Sequence, residues 1–339
     1  MFQTLGSGSA VFCLMGDNSA ACLRLSRPAD TALPARPSVA IVGAGAIGCY
    51  YGARLALAGV DVRFLLRSGL ERILEQGITL RERDGERRLK EVAAFADPAD
   101  IGPVDLVVVT LKTTANAALA RLLPPLVGPA TAVLTLQNGL GTEEEHAALV
   151  GAERMLGGVC FIGVVRESPG ELVGFHTPGA IELGEFERPA GTRARDVAAL
   201  FSRAGVRTQA VDNLTEARWR KLIWNIPFNG LAIAAGGLTT DRILADPALT
   251  AEVRGLMDEV AAAGRRLGCE ISDAFVQRQI DVTRPMGPYR PSSLVDFLAG
   301  REVEIEAIWG EPLRRAQAVG LPMPRLATLH ERLRSLARS

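Results

Sequence analysis

Residues 39–48 read VAIVGAGAIG, a short apolar run that enters a glycine-spaced turn at Gly43, Gly45 and Gly48. Each glycine answers a separate steric demand: a tight turn out of a strand, close approach of the backbone to a pyrophosphate, and close packing of a helix on the strand. A helix that begins here would direct free N–H groups and its positive dipole end at the phosphates. The stretch therefore predicts a dinucleotide-binding turn.

The surrounding sequence strengthens this prediction, because a lone glycine pattern also occurs in ordinary loops. The apolar strand SVAIV precedes the turn, residues 50–58 suit a helix, and Gly59 stands where a helix commonly ends. A second strand is predicted at 60–66. The residues predicted to contact the cofactor at the turn are Gly43, Gly45, Ala46, Ile47 and Gly48.

The residue after the second strand indicates which dinucleotide is bound. A site selective for NAD would usually place Asp or Glu there to hold the ribose 2′-hydroxyl. This chain has Leu66, Arg67 and Ser68 instead. A guanidinium suits a 2′-phosphate, because it offers charged donors where a carboxylate would repel the group. Arg67 therefore predicts NADP(H), although a solvated surface arginine is the ordinary alternative.

Composition excludes several classes of function. The chain has 339 residues, 48% apolar and 22% charged, which is typical of a globular protein with room for two domains. Its 38 basic and 38 acidic residues balance, so no global field attracts nucleic acid or a membrane surface. Five scattered cysteines and three histidines show no metal-ligand spacing, so no metal site is predicted.

The first 37 residues are rich in Ser, Ala, Gly and Pro and precede the predicted start of the fold at Ser38. They lack a basic segment before the apolar stretch and fit a secretory signal poorly. We interpret residues 1–37 as a disordered N-terminal extension. No apolar run of about 18 residues suggests a membrane span, so a cytoplasmic location is the default expectation. The sequence is also compatible with a homodimer.

Two buried strands end in polar residues. They follow a hairpin that is predicted at 78–92. The first of the two is the continuous apolar run 104–111, which ends in Lys112. The run 132–136 ends in Gln137, Asn138 and Gly139. Ligands of open parallel sheets bind at the carboxyl ends of strands, so Lys112 and Asn138 are predicted to face the cofactor. The alternatives are an ordinary strand-end lysine and a turn asparagine.

The pattern of apolar residues changes near residue 212, from predicted strands to predicted helices. Further strands are predicted at 158–165, 179–184 and 206–211, with a helix at 192–204. Beyond this point helical periodicity predominates, at 215–235, 247–267, 272–283, 302–319 and 324–336. The prediction is an α/β fold, with a Rossmann-type doubly wound sheet at 38–212 and an all-helical substrate and catalytic domain at 213–336.

The first of these helices contains RWRKLIWNIPFNG, in which Lys221, Asn225 and Asn229 recur at steps of four. This spacing places one ammonium and two amides near a common helix face, and their apolar neighbours imply that the face is buried and needs polar partners. Pro227 interrupts the backbone bonding and could displace Asn229. Reduction of a ketone by a nicotinamide needs a proton donor, and Lys221 is the candidate acid.

The ordered motifs of the chain resemble the ketopantoate reductase family (2-dehydropantoate 2-reductases). The resemblance spans roughly residues 38–336. It rests on four stretches in order: VGAGAIG, TLK with LQNGLG, WRKLIWNIPFNGL and RPSSLVDFLAGREVEIEAIWG. It implies a Rossmann domain and a helical domain with the active site between them, and reduction of 2-dehydropantoate to (R)-pantoate with NADPH.

The resemblance also implies roles for particular residues. Lys221 matches the family's catalytic lysine and Glu304 the glutamate that assists it. Arg67, Lys112 and Asn138 match positions that contact NADPH, and Asn138 is also expected near the substrate. The substrate-binding amides match Asn225 and Asn229, and the serine that binds the substrate carboxylate matches Ser292, with adjacent Ser293 left open. Without the resemblance, Glu304 would be interpreted as a helix-surface carboxylate and Ser292 as a helix cap.

Two departures from the family pattern leave the substrate open. Many relatives read N-P-L-T where this chain has Asn229-Gly230-Leu231-Ala232, and they commonly have Asn-Gly in place of Trp309-Gly310. We therefore keep three hypotheses: a reductase of 2-dehydropantoate, a reductase of another branched 2-oxoacid or an opine-type substrate, and an NADPH-binding sensor without turnover.

Overall fold

The computed structural model describes residues 31–337, except for the side chains of residues 176 and 177. The predicted N-terminal extension therefore lies mainly outside the described residues. Within residues 31–37, the N–H of Leu33 donates to the Asp196 carboxylate at 3.0 Å, and the Leu33 side chain packs against the core. The first strand begins at Ser38, as predicted.

The sheet-forming half of the chain contains ten strands. These are β1 (Ser38–Val42), β2 (Asp61–Leu65), β3 (Ile78–Glu82), β4 (Gly85–Leu89), β5 (Ala93–Phe95), β6 (Val104–Val109), β7 (Val127–Thr135), β8 (Met155–Ser168), β9 (Glu171–Glu185) and β10 (Arg207–Ala210). The helices among them are α1 (Ala46–Leu57), α2 (Leu70–Gln76), α3 (Pro98–Ile101), α4 (Leu119–Leu122), α5 (Thr142–Val150) and α6 (Thr192–Arg203).

From Leu214 onward the regular elements of the described residues are helices. They are α7 (Leu214–Ala234), α8 (Thr240–Ala245), α9 (Pro247–Arg266), α10 (Asp273–Thr283), α11 (Ser292–Leu298), α12 (Glu311–Ala318) and α13 (Pro324–Leu336). A π-helical turn at Glu306–Gly310 leads directly into α12. The predicted fold class, a Rossmann-type sheet followed by a helical region, is confirmed.

All ten strands belong to one sheet. Its order is β4-β3-β9-β8-β7-β6-β1-β2-β5, with β10 paired to β9. The pairs from β5 through β2, β1, β6 and β7 to β8 are parallel, whereas β8 and β9 are antiparallel. The β3–β4 hairpin ends the sheet, which confirms the hairpin predicted at 78–92. The order reverses direction around β1, and such a switch point is where ligands of doubly wound sheets bind.

Strand β1 shows why the sheet is covered on both faces. Its residues Val39 and Ile41 belong to one apolar cluster, together with side chains of α1 and α6. Ala40 and Val42 belong to a second cluster on the opposite face, with side chains of α4. Successive strand residues point to opposite faces, so a strand that is apolar throughout requires cover on both. A third cluster forms the core of the helical region around α7 and α9.

The glycine turn between β1 and α1 has the geometry that its spacing predicts. Gly43 has a φ of +103°, and a Cβ at this position would lie 2.6 Å from the backbone nitrogen of Leu111. A Cβ at Gly48 would collide with the carbonyl oxygen of Gly43. A Cβ at Gly45 would meet no atom within 4 Å. Two glycines are thus required by the protein itself, while the third borders open space.

One predicted helix is wrong in part. Residues 302–319 were expected to form a single helix, but residues 301–304 are not helical and the π-helical turn precedes α12. Pro312 lacks the N–H that a continuous α-helix would donate to the carbonyl of Ile308. The extended start of the segment is held instead by the other half of the molecule, as described below.

Neither a membrane-spanning helix nor a metal-binding cluster was found in residues 31–337. None of the described helices is both long and apolar enough to cross a bilayer. Likewise, no group of three or more His, Cys, Asp or Glu side chains in this part of the chain is arranged to hold a metal ion.

Candidate active site

A lysine from the helical region reaches the carboxyl edge of the sheet. Asn138 follows β7 in the turn that begins at Gln137, and Lys221 lies in the second turn of α7. The Lys221 ammonium donates to the Asn138 side-chain oxygen, with 2.8 Å between Nζ and Oδ1. Residues 83 positions apart in the chain thus meet where the fold positions ligands.

Glu304 completes this polar group from a third segment. The Asn138 amide donates to one Glu304 carboxylate oxygen at 3.3 Å, and the backbone N–H of Thr113 donates to the other at 2.9 Å. The Glu304 side chain is buried. The three side chains form a chain of hydrogen bonds in which Asn138 connects the Lys221 ammonium to the Glu304 carboxylate.

The turn that carries Asn138 is itself fixed by buried polar residues. The Gln137 amide donates to the Leu111 carbonyl at 2.8 Å and to the Asn116 side-chain oxygen at 2.7 Å. Arg218 of α7 donates to the Gln137 carbonyl at 2.6 Å and forms a buried ion pair with Glu143. No role was predicted for these residues from the sequence. Gln137 could have been noticed, since it immediately precedes the predicted Asn138.

The backbone of the same turn lies directly against the helical region. Gly139 has a φ of +88°, and a Cβ there would collide with the backbone of Ala307 in the π-helical turn. The N–H of Leu140 donates to the Ala307 carbonyl at 3.0 Å. A side chain at residue 139 would separate the two surfaces, and so this glycine lets Asn138 approach Glu304.

Burial changes the acidity of both ionisable groups in this site. Desolvation lowers the pKa of Lys221 from 10.5 to about 8, and the positive charge of Arg218 acts in the same direction while Glu304 opposes it. Desolvation raises the pKa of Glu304, against the hydrogen bonds from Thr113 and Asn138. A lysine with a pKa near neutrality can both donate and recover a proton, which suits a general acid.

The amides predicted to bind substrate lie one and two turns further along α7. Asn225 and Asn229 are both buried. The Asn229 side-chain oxygen accepts the N–H of Ser293 at 2.9 Å. Among residues 31–337, the Asn225 carboxamide forms no hydrogen bond, which leaves a buried polar group free for a ligand. Helix α7 continues through Pro227 to Ala234, so the three polar residues stay on one helix.

Ser292 and Ser293 occupy different environments at the start of α11. Ser292 is exposed, whereas Ser293 is buried with its N–H bound to Asn229. Ser292 is therefore the more accessible of the two hydroxyls, and the assignment of the carboxylate contact to Ser292 stays a prediction.

Lys112 lies at the edge of the cleft, between the two halves of the chain. Its ammonium forms an ion pair with Asp296 of α11 at 2.7 Å and donates to the Glu302 carbonyl at 3.0 Å. These two contacts, together with the hydrogen bond from the Thr113 N–H to the Glu304 carboxylate, hold residues 302–304 against the sheet. They explain why this segment does not join the predicted helix. Asp296 was quoted in the sequence analysis only within a motif.

The cofactor side of the site has the features that a dinucleotide requires. Gly45 is the N-cap residue of helix α1, so no side chain at this position binds the first N–H groups of the helix. The space beside this glycine is open. Ala46 and Ile47 form the first turn of α1. Uncapped N–H groups at the start of a helix bind phosphate. Arg67 follows the neighbouring strand β2 and is exposed to solvent.

Gly230 and Trp309, the two departures from the family pattern, pack against each other. Trp309 is fully buried, and its indole N–H donates to the Ile226 carbonyl at 3.0 Å. A Cβ at Gly230 would lie 2.9 Å from the Trp309 indole nitrogen and 2.7 Å from the Leu329 side chain. Gly230 therefore makes room for Trp309 within the helical core. Both departures are therefore accounted for by packing within the helical region.

A largely parallel sheet with a glycine turn, and a lysine from a helical region at the carboxyl edge of that sheet, are features of a nicotinamide-dependent oxidoreductase. Comparison with known proteins agrees. Residues 39–188 match the family model described as "Ketopantoate reductase PanE/ApbA", and residues 213–337 match "Ketopantoate reductase PanE/ApbA C terminal". The chain belongs to the ketopantoate reductase family and is an NAD(P)-dependent oxidoreductase.

Individual relatives support this assignment over nearly the whole chain. A 2-dehydropantoate 2-reductase of Nostoc sp. is 40% identical over 303 residues, which cover 88% of this chain and 94% of the relative. The crystal structure of 2-dehydropantoate 2-reductase from Geobacter metallireducens GS-15 is 44% identical, with a TM-score of 0.85, and the match covers 88% of this chain and 99% of that one. The corresponding enzyme structure from Methylococcus capsulatus is 32% identical with a TM-score of 0.80, and its match covers 88% and 96%.

Proposed function

We propose that this protein reduces 2-dehydropantoate to (R)-pantoate with NADPH. The observation that carries the proposal is the contact between the Lys221 ammonium and Asn138, because it brings a proton donor of the helical half to the carboxyl edge of the sheet. The substrate is that of its relatives, which are 2-dehydropantoate 2-reductases. The buried, unpartnered amide of Asn225 gives that substrate a polar contact beside the donor.

Lys221 is proposed as the general acid. Reduction of a ketone places negative charge on its oxygen, and a nearby ammonium both stabilises this charge and donates the proton. The bound nicotinamide supplies the hydride. Lys221, Asn225 and Asn229 lie at steps of four on α7 and therefore on one face of the helix, where all three could contact the substrate.

Glu304 is proposed to hold the lysine and contact the substrate hydroxyl. Through Asn138 it restrains the ammonium, and it is itself restrained by the N–H of Thr113. Its carboxylate is buried near Lys221, and its negative charge also favours the protonated form of that lysine. Ser292 is proposed as the contact of the substrate carboxylate.

NADP(H) is the proposed cofactor. Its pyrophosphate would be held by the turn of Gly43, Gly45 and Gly48 and by the N–H groups of Ala46 and Ile47. Arg67 would bind the 2′-phosphate, since it lies at the end of β2 where a carboxylate would select NAD. Lys112 and Asn138 would contact the cofactor from the ends of β6 and β7. A homodimer, a cytoplasmic location and a domain division near residue 212 stay predictions.

The proposal is tested by steady-state oxidation of NADPH and NADH with a panel of 2-oxoacids. We expect kcat/KM to be highest for 2-dehydropantoate, ahead of pyruvate and unhydroxylated branched 2-oxoacids, and higher with NADPH than with NADH. Arg67→Gln should lose this cofactor preference, while Arg195→Gln, at an exposed position on α6, should retain it. Turnover of another 2-oxoacid with none of 2-dehydropantoate would refute the proposed substrate.

A further inference from the structure

A second arginine lies at the glycine turn, and it comes from an unexpected element. Arg166 belongs to the distal part of β8. Its guanidinium donates to the carbonyl of Ala44, with 2.9 Å between Nη1 and the oxygen, although the two residues are 122 positions apart. Ala44 lies between Gly43 and Gly45, within the turn that would approach the pyrophosphate.

The course of the β8–β9 hairpin explains how this arginine reaches the turn. Strand β8 pairs with β7 only over residues 155–157, opposite the carboxyl end of β7. The rest of β8 continues past that edge, paired with β9 alone. At the tip of the hairpin, Pro169 is so close to Gly69 that a Cβ on this glycine would lie 2.7 Å from the proline ring. The hairpin therefore spans from the glycine turn to the loop that contains Arg67.

The charge of Arg166 is not neutralised by the protein. Within residues 31–337 no carboxylate forms an ion pair with it, and its one hydrogen bond goes to a neutral carbonyl. By contrast, Arg81 on strand β3, which pairs with β9, forms ion pairs with Glu86, Glu167 and Glu171. The side chain is exposed, so most of its N–H donors are free.

The electrostatic effect of Arg166 extends into the first turn of α1. Burial raises the pKa of the Cys49 thiol to about 12, and the positive charge of Arg166 opposes this rise. The Cys49 thiol itself donates to the same Ala44 carbonyl at 3.2 Å. An uncompensated cation and the positive end of the α1 dipole thus act on one small region beside the open space at Gly45.

We propose that Arg166 binds the pyrophosphate of the dinucleotide cofactor, together with the N-terminus of α1. Its hydrogen bond to Ala44 fixes the guanidinium at the turn. The remaining N–H donors of the guanidinium would bind the pyrophosphate, since their fork geometry suits phosphate oxygens. The assignment rests on the proposed use of a dinucleotide. It differs from the role of Arg67, because the pyrophosphate occurs in both NADPH and NADH, whereas the 2′-phosphate occurs only in NADPH.

This difference defines the experiment. The dissociation constants of NADPH and NADH are measured by fluorescence titration at several KCl concentrations, for the wild type, Arg166→Gln, Arg67→Gln and the control Arg195→Gln. We expect Arg166→Gln to weaken both cofactors by a similar factor, about 10- to 100-fold, and to reduce the salt dependence of binding. The loss should appear in the KM for cofactor rather than in kcat. Arg67→Gln should weaken NADPH alone.

Adenosine 2′-phosphate, which lacks the pyrophosphate, serves as a competing probe. Its affinity should be unchanged in Arg166→Gln and reduced in Arg67→Gln. Unchanged cofactor binding in Arg166→Gln would overturn the inference, as would a loss confined to NADPH. A loss with the salt dependence of the wild type would also overturn it, because it would show that Arg166 only holds the turn. Failure of the wild type to bind either cofactor would instead refute the proposed function.

Discussion

At the residue scale, the proposed proton transfer depends on the protonation state of Lys221. Its ammonium is partly withdrawn from water and lies near Arg218, and both effects favour the neutral amine. Asn138 presents an oxygen to it and so stabilises the charged form. The balance lowers the pKa to about 8, which keeps the donor mostly protonated at neutral pH yet easily deprotonated.

We therefore predict that reduction becomes slower in alkaline solution. Because Lys221 is proposed to act in its protonated form, kcat/KM should be constant below about pH 7 and should fall about tenfold per pH unit above the lowered pKa of about 8. The measurement is kcat/KM for the 2-oxoacid between pH 6 and 10, with circular dichroism at each pH to verify folding. A profile that stays flat to pH 10 would show that Lys221 is not the acid.

Single residues differ in how well the sequence predicts them. Lys221 and Asn138 could be predicted because each stands at a position of known meaning: a step-of-four polar stripe and the end of a buried strand. Glu304 could not be predicted without the family resemblance, because its acidic neighbours suggested a helix surface. Arg166 and Asp296 could not be predicted at all, since their roles depend on pairing between segments that are distant in the chain.

At the element scale, helix α7 provides both the site and the core of the helical half. Its polar residues Lys221 and Asn225 take part in the cleft, while Gly230 faces Trp309 and Leu329 in the apolar cluster. The helix continues through Pro227, and the Trp309 indole supplies an additional donor to the carbonyl of Ile226. Periodicity predicted the extent of α7 well, because a 3.6-residue apolar pattern is unaffected by what lies opposite.

We predict that Gly230→Ala destabilises the protein but leaves substrate binding unchanged. The added methyl would crowd Trp309 and Leu329, and overpacking of this kind typically costs about 1–3 kcal/mol. The measurement is the free energy of unfolding from urea titration, together with the KM for 2-dehydropantoate.

A double-mutant cycle gives the control for this prediction. In a Trp309→Leu background the added methyl should cost clearly less, because the indole that it crowds is gone. Equal costs in both backgrounds, or a KM that rises severalfold in Gly230→Ala, would contradict the interpretation of these residues as a packing pair.

Element boundaries were predicted less well where one half of the molecule acts on the other. The helix predicted at 302–319 loses its first turn because Lys112 and Thr113 bind the backbone and side chains of residues 302–304. Local sequence favours a helix there, and contacts across the cleft override it. The short helices α8 and α11 were missed, because six or seven residues carry too little periodic signal.

At the scale of the whole molecule, the function depends on two halves that meet at one edge of the sheet. The sheet half contributes the glycine turn, Arg67 and the Asn138 turn, and the helical half contributes Lys221 and Glu304. The two are joined by the hydrogen bonds of Asn138 and by the ion pair between Lys112 and Asp296. Sequence alone predicted a sheet-forming half followed by a helical half, but not these contacts between them.

The central claim is that Lys221 acts on the substrate and not on the cofactor. It is tested most directly by measuring, for Lys221→Ala and the wild type, the dissociation constant of NADPH and kcat with saturating 2-dehydropantoate. We expect an NADPH affinity within about threefold of the wild type and a kcat reduced by about 100-fold or more, since a positioned general acid typically contributes this much. A kcat near that of the wild type, with NADPH still bound, would contradict it.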